Sequence, residues 1–259
     1  MTAGSGRARL VFPVMGTMTS IAVAASDVER LGAAQVDQAM QAAKAELERI
    51  DARFSHYDSG SEISRWVSGG EVPDDAQVEI EMVLAECAQL SADSEGSFAI
   101  VDPRTGRLDT AGYVKGYAID NAVAAMRDGG LLNFAIGVGG DTYCAGEAEA
   151  GRAWRVAVQD PRACGRVVAV VEARDCAVAT SGRAERGDHL WSRPGEQASS
   201  LLSFTVIGPS IAEADAYATI GFVKATDGAA WVAAREGYRS IVVQADGSVV
   251  SDAALVSAA

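Results

Sequence analysis

The stretch SFTVIGPSIAEADAYATIGFV, residues 203–223, reads as a β-rich run, a break at Gly208-Pro209, and then an apolar helix. Within that helix Asp215 and Thr219 stand four residues apart, about 400° of helical rotation, so their side chains lie one above the other. A structural account exists for each: an Asp near a helix start favours the helix dipole, and a helical Thr bonds back to its own backbone. The pair also offers a carboxylate and a hydroxyl which, with a nearby backbone carbonyl, would make an all-oxygen set suited to Mg²⁺.

Outward from this unit, the C-terminal half is punctuated by short β-rich runs: residues 134–138, 154–159, 167–173 and 176–180. SIVVQADGSVV (240–250) adds a hairpin turning at Asp246-Gly247, with a further helix expected over 228–236. The N-terminal half is helical after two strands within 10–24. Val36, Met40, Ala43, Leu47, Ile50 and Phe54 recur at alternating steps of four and three, which predicts an amphipathic helix. SHYDSGSEISRWVSGG follows as a polar loop. A second helix is expected over 75–92, with Val78, Met82, Ala85 and Leu90 as its apolar side, and a third over 114–128. Early helices and late antiparallel strands predict an α+β fold, with antiparallel sheets and flanking helices, forming a single domain over 1–259 with room for two closely packed subdomains.

The chain carries 22 Lys and Arg against 35 Asp and Glu, a formal charge of −13, and no nucleic-acid binding is expected of it. No run of about 20 apolar residues occurs, so no transmembrane segment or signal peptide is expected, and the cytoplasm is the expected location. Cys87, Cys144, Cys164 and Cys176 lack short paired spacing, which argues against zinc or CxxC chemistry.

Two histidines are available, His56 and His189. His56 lies in the polar loop and reads as a solvated residue. His189 lies in a Gly- and charge-rich loop after a strand ending in TSG, a place where functional residues concentrate. GVGGDTYCAG (137–146) is a Gly-rich turn without a Walker pattern, whose Asp141 caps the turn or faces a cavity. In LDTAGYVKGYAID (108–120), Asp109 and Lys115 flank the entry to a helix, whose free N–H groups suit phosphate. A capped helix with a surface lysine is the alternative.

In order along the chain, PVMGTMTSIAV, RFSHYDSGSEISR, LDTAGYVKGYAID, IGVGGDTYCAG, WRVAVQDPR, AVATSG with a following His, and ADAYAT resemble the ApbE family of FAD-dependent flavinylating enzymes. The resemblance implies an ApbE-like, T-fold-like architecture and a transferase that moves FMN from FAD onto a Thr or Ser of a target flavoprotein, releasing AMP and requiring Mg²⁺. It implies Asp215, Thr219 and Gly112 as metal ligands, and Met15 and Tyr57 against the flavin. It further implies Ser97, Phe98, Asp109, Lys115 and Leu190 as FAD-binding residues and His189 as the base. Three departures stand out: Ala99 replaces an acidic residue in GSFAIVDP, the segment from there to LDTAGYVKG is short, and LWSRPGEQ follows His189 where Asp-Pro-x-x-Gly is expected. Two other readings accompany the transferase. One is an FAD pyrophosphatase giving FMN and AMP; the other is a flavin-binding protein without catalysis.

Overall fold

A computed structural model describes residues 6–101, 106–163, 165–182 and 201–254. Its main sheet has the strand order β1-β2-β3-β4-β7-β8-β9-β10, every neighbouring pair antiparallel. The strands are β1 (Ala8–Val14), β2 (Thr17–Val23), β3 (Phe134–Val138), β4 (Asp141–Ala145), β7 (Cys176–Gly182), β8 (Leu201–Gly208), β9 (Arg239–Gln244) and β10 (Val249–Ser251). β5 (Trp154–Gln159) and β6 (Val167–Ala173) form a separate two-stranded sheet.

Alternation along the strands builds two cores on opposite faces. Phe134, Ile136 and Val138 of β3 belong to a large core shared with the helices, while Ala135 packs into a second one. That second core joins Cys144 and Val178 to Trp154, Val158, Ala169 and Val171 of the β5–β6 arm. Helices thus cover one face of the main sheet and the arm covers the other.

The helices are α1 (Ala25–Leu31), α2 (Ala33–Phe54), α3 (Glu62–Val67), α4 (Asp74–Asp93), α5 (Ala111–Asp128), α6 (Ile211–Lys224) and α7 (Gly228–Ala233). The stripe Val36, Met40, Ala43, Leu47, Ile50 and Phe54 is buried along α2. Glu79 of α4 ties three helices together. It takes both Arg49 Nη1 (2.7 Å) and Nη2 (3.1 Å), pairs with Arg53, and accepts from Tyr117 Oη at 2.8 Å. Burial pushes its carboxyl up, but Arg49, Tyr117 and Arg53 outweigh this and bring it to about 2.

Several expectations need correction. The polar loop contains α3, capped by Ser61, whose hydroxyl accepts from Ser64 N, with Ile63 fully buried. A six-residue helix buries too little to show a period, so its cap was the only signal. On α4 the buried stripe is Ala76, Ile80, Val83, Cys87 and Leu90; Val78 and Met82 are 67 % and 45 % exposed. Two overlapping stripes fit this sequence, and the one through Ile80, Val83 and Cys87 faces the core. The third helix starts at Ala111 rather than 114. The sequence placed α7 over 228–236, and it ends at Ala233.

α5 and α6 approach so closely that a Cβ on Gly116 would lie 2.5 Å from Ile211 O and 2.6 Å from Ala212 Cα. Ala normally favours a helix interior over Gly by about 1 kcal/mol. Here the backbone clash wins, and Gly116→Ala is expected to destabilise by about 1–3 kcal/mol. That lowers the melting temperature by several degrees; a melting temperature equal to or above wild type would refute the close-approach account.

Candidate functional site

The site begins where α5 meets α6. Asp120 of α5 caps α6: its Oδ2 accepts from Ser210 Oγ (3.0 Å) and Ala212 N (3.1 Å), satisfying donors that a helix start leaves open. The same contact sets Asp215 and Thr219 facing the sheet, with Asp215 at 0 % exposure. Thr219 Oγ1 shares a hydrogen bond with Ser181 Oγ of β7 at 3.1 Å. From α5, the Lys115 ammonium lies 2.5 Å from Asp141 Oδ2 and 3.6 Å from Asp215 Oδ1. Asp141 also accepts the Thr180 N–H through Oδ1 (2.9 Å), which anchors it to β7.

Beside this cluster opens a cavity of about 1510 Å³. Met15, Tyr57, Asp109 and Lys115 line it, together with the first turn of α5. Tyr57, 97 % exposed, stands at its rim. Gly112, Asp215 and Thr219 sit behind that wall and are not lining residues. Ser97 is half-buried, while Phe98 packs into the large core with its N–H donated to Ser94 Oγ (2.9 Å); neither lines the cavity. His189 and Leu190 lie outside the described residues.

The turn at Gly139-Gly140 is a two-residue hairpin connection between β3 and β4, which delivers Asp141 to the helical face. Asp141 does not line the cavity that the sequence offered it; its buried carboxylate is turned to Lys115 and the Thr180 N–H instead. Among the described residues, no cluster of three or more His, Cys, Asp and Glu side chains is placed to hold a metal. The buried oxygen groups at this point are the Asp215 carboxylate and the Thr219 hydroxyl, donors of the hard-oxygen kind that fit Mg²⁺.

Sequence reasoning passed over His56. Its Nε2 accepts the Thr110 N–H at 3.2 Å and lies 2.9 Å from Thr110 Oγ1, at the residue preceding α5. It lines the cavity as well. An acceptor Nε2 requires the neutral ring. Burial pushes this imidazole below the usual histidine range, with Asp109 pulling it up and Arg107 down. No spacing signal could have found it, because its partner is 54 residues away. Asp51 was missed for the same reason: its Oδ2 accepts the Met15 N–H at 2.9 Å, across the cavity edge.

The sign of the His56 contribution follows from linkage. Above the unfolded value of about 6.5, both states hold neutral imidazole and the contribution is complete. As pH falls below it, the unfolded chain binds a proton that the folded chain refuses, so stability drops, by at most about 1.4 kcal/mol per pH unit. Urea denaturation at pH 7.5, 6.5 and 5.5 should show wild type losing more stability than His56→Gln, whose amide oxygen can still accept from Thr110. Parallel losses in the two proteins would remove His56 from this role.

Comparison with known proteins gives this geometry a family. The model of the ApbE family matches residues 15–103 and 100–243. The FAD:protein FMN transferase of Salmonella typhimurium is 32 % identical over 153 residues, covering 54 % of this chain and 43 % of that one. The chain therefore spans less than half the length of that relative. Among solved structures, the ApbE protein of Thermotoga maritima superposes with a TM-score of 0.75 at 21 % identity, over 95 % of this chain and 96 % of that one. The flavin transferase ApbE of Vibrio cholerae gives a TM-score of 0.72 at 21 % identity, over 95 % and 96 %. These two likenesses show the fold, and the family match extends across most of the chain: the protein belongs to the ApbE family.

Proposed function

We propose that the protein is an FAD:protein FMN transferase, which moves the FMN half of FAD onto a Thr or Ser hydroxyl of a target flavoprotein and releases AMP. The observation that carries the reading is the Lys115–Asp141–Asp215 cluster, whose Lys115 lines a cavity of about 1510 Å³ with the two carboxylates behind it. That volume accommodates a dinucleotide-sized ligand. Membership of the ApbE family and the name of the Salmonella typhimurium relative support the same reading.

In this reaction the acceptor oxygen attacks the flavin-side phosphorus, the pyrophosphate P–O bond breaks, and AMP departs with the bridging oxygen. The hydroxyl proton passes to a base, for which His189 is the candidate. Lys115 presents its ammonium toward the pyrophosphate from the cavity wall, and the first turn of α5 turns its positive dipole end to the same space. Met15 and Tyr57 hold the flavin at the rim. Asp215, Thr219 and the Gly112 carbonyl would hold Mg²⁺, which supplies charge neutralisation to the pyrophosphate when bound. Asp141 keeps Lys115 in place. No helix among the described residues is long and apolar enough to cross a membrane.

The test incubates the protein with FAD, Mg²⁺ and total protein from the source cells. Chromatography then follows AMP, and in-gel fluorescence follows covalent flavin. AMP with a matching amount of protein-bound flavin is the expected result. AMP with an equal amount of free FMN would make water the acceptor, and no AMP at all would overturn the reading. Asp215→Ala should cut Mg²⁺-dependent AMP release by about 100-fold with an unchanged circular dichroism spectrum. Unchanged turnover would remove the metal role.

A further inference from the structure

Cys144 and Cys176 are register partners across the antiparallel β4–β7 pair. Directly opposed residues in such a pair have Cα atoms about 4.5–5.5 Å apart, inside the range of about 4.4–6.8 Å that a disulfide spans. Being opposed, the two side chains share a face. Cys144 is buried in the second core and the half-buried Cys176 packs against it, both as free thiols.

Their position in the fold is specific. The main sheet releases the chain at the end of β4, the chain builds the β5–β6 arm, and Cys176 is the first residue on its return. Two more rungs close this neck just beyond the cysteines. The Gly146 N–H donates to Asp175 Oδ1 at 3.1 Å, and Arg174 Nη2 lies 2.8 Å from Glu147 Oε1. The backbones are therefore held in register at the point where a bridge would form. Cys87, by contrast, is fully buried on α4 in the other core.

We propose that Cys144 and Cys176 are a thiol–disulfide site, which a small-molecule disulfide oxidises to an intramolecular bridge at the neck of the β5–β6 arm. The thiolate of Cys176, the more accessible of the two, attacks one sulfur of the small disulfide and expels the first small thiolate. The thiolate of Cys144 then attacks the Cys176 sulfur of the mixed disulfide and expels the second. The two protons lost by the cysteines end on the two released small thiols, and the cysteines are oxidised by the two electrons that the small disulfide gains. Burial pushes both thiols up, so the thiolate is scarce at neutral pH and the rate climbs with pH. Trp154, Val156 and Gln159 of the arm and Cys144 itself line the cavity, so the bridge ties down one of its walls.

Full-length protein is incubated with oxidised glutathione at pH 7.0, 7.75 and 8.5, alkylated, and digested without reductant. Expected are a cross-linked peptide pair containing Cys144 and Cys176, a mass lower by two hydrogens, and a rate that rises about tenfold per pH unit. The melting temperature should rise by several degrees, as for closure of a loop of roughly 30 residues, and dithiothreitol should reverse the rise. Cys176→Ser, at the less buried position, should show none of these even if Cys144→Ser fails to fold. Both thiols remaining alkylatable after exposure at pH 8.5, a stable glutathione adduct on Cys176, or a bridge to Cys87 or Cys164 would each overturn the proposal.

Discussion

Lys115 reaches from α5 toward two carboxylates that solvent does not touch, Asp141 on β4 and Asp215 on α6. Burying a carboxylate costs several kcal/mol, and the attraction to an ammonium returns that only when geometry and hydrogen bonds are good. Such a cluster adds little net stability, yet removing one member is expensive, so the arrangement resists drift. The same helix α5 fixes α6 in two further ways. Gly116 leaves room for the backbone of α6, and Asp120, one turn on, caps its first turn. Space, cap and charge from one helix thus set where Asp215 and Thr219 stand.

The sequence was most legible where burial imposes a period on large side chains. α2 shows its face because every fourth or third residue is apolar across 22 positions. α4 misled because Val78, Met82 and Ala85 make a rival stripe beside the buried one. The strands were legible as runs, but their order was not. Nothing local says that β5 and β6 leave the main sheet to cover its other face, since that depends on which core Trp154 and Val158 join.

The candidate site divides the same way. Asp215 and Thr219 announce themselves because polar groups on an apolar helix demand an account, and Lys115 because it follows a helix entry. Their convergence with Asp141 is a tertiary fact. His56 could not be weighed from sequence, since its role is defined by an N–H far along the chain. Phe98, which a motif position marks as FAD-binding, packs its ring into the large core.

Met15 shows how strain and site coincide. Val14 and Thr17 pair directly, leaving Met15-Gly16 as a two-residue turn with φ of 54° and 70°. Such turns favour Asn-Gly, and a Met at positive φ costs on the order of 1 kcal/mol. The Asp51 carboxylate on α2 holds the strained residue by its N–H, and the Met15 side chain lies between the large core and the cavity. An Asn would relieve the turn but lose an apolar, polarisable thioether, which is suited to the edge of an aromatic ring. In the proposed reading that ring is the flavin. The rest of the fold then carries a local conformational cost so that a sulfur, rather than an amide, meets the ligand there.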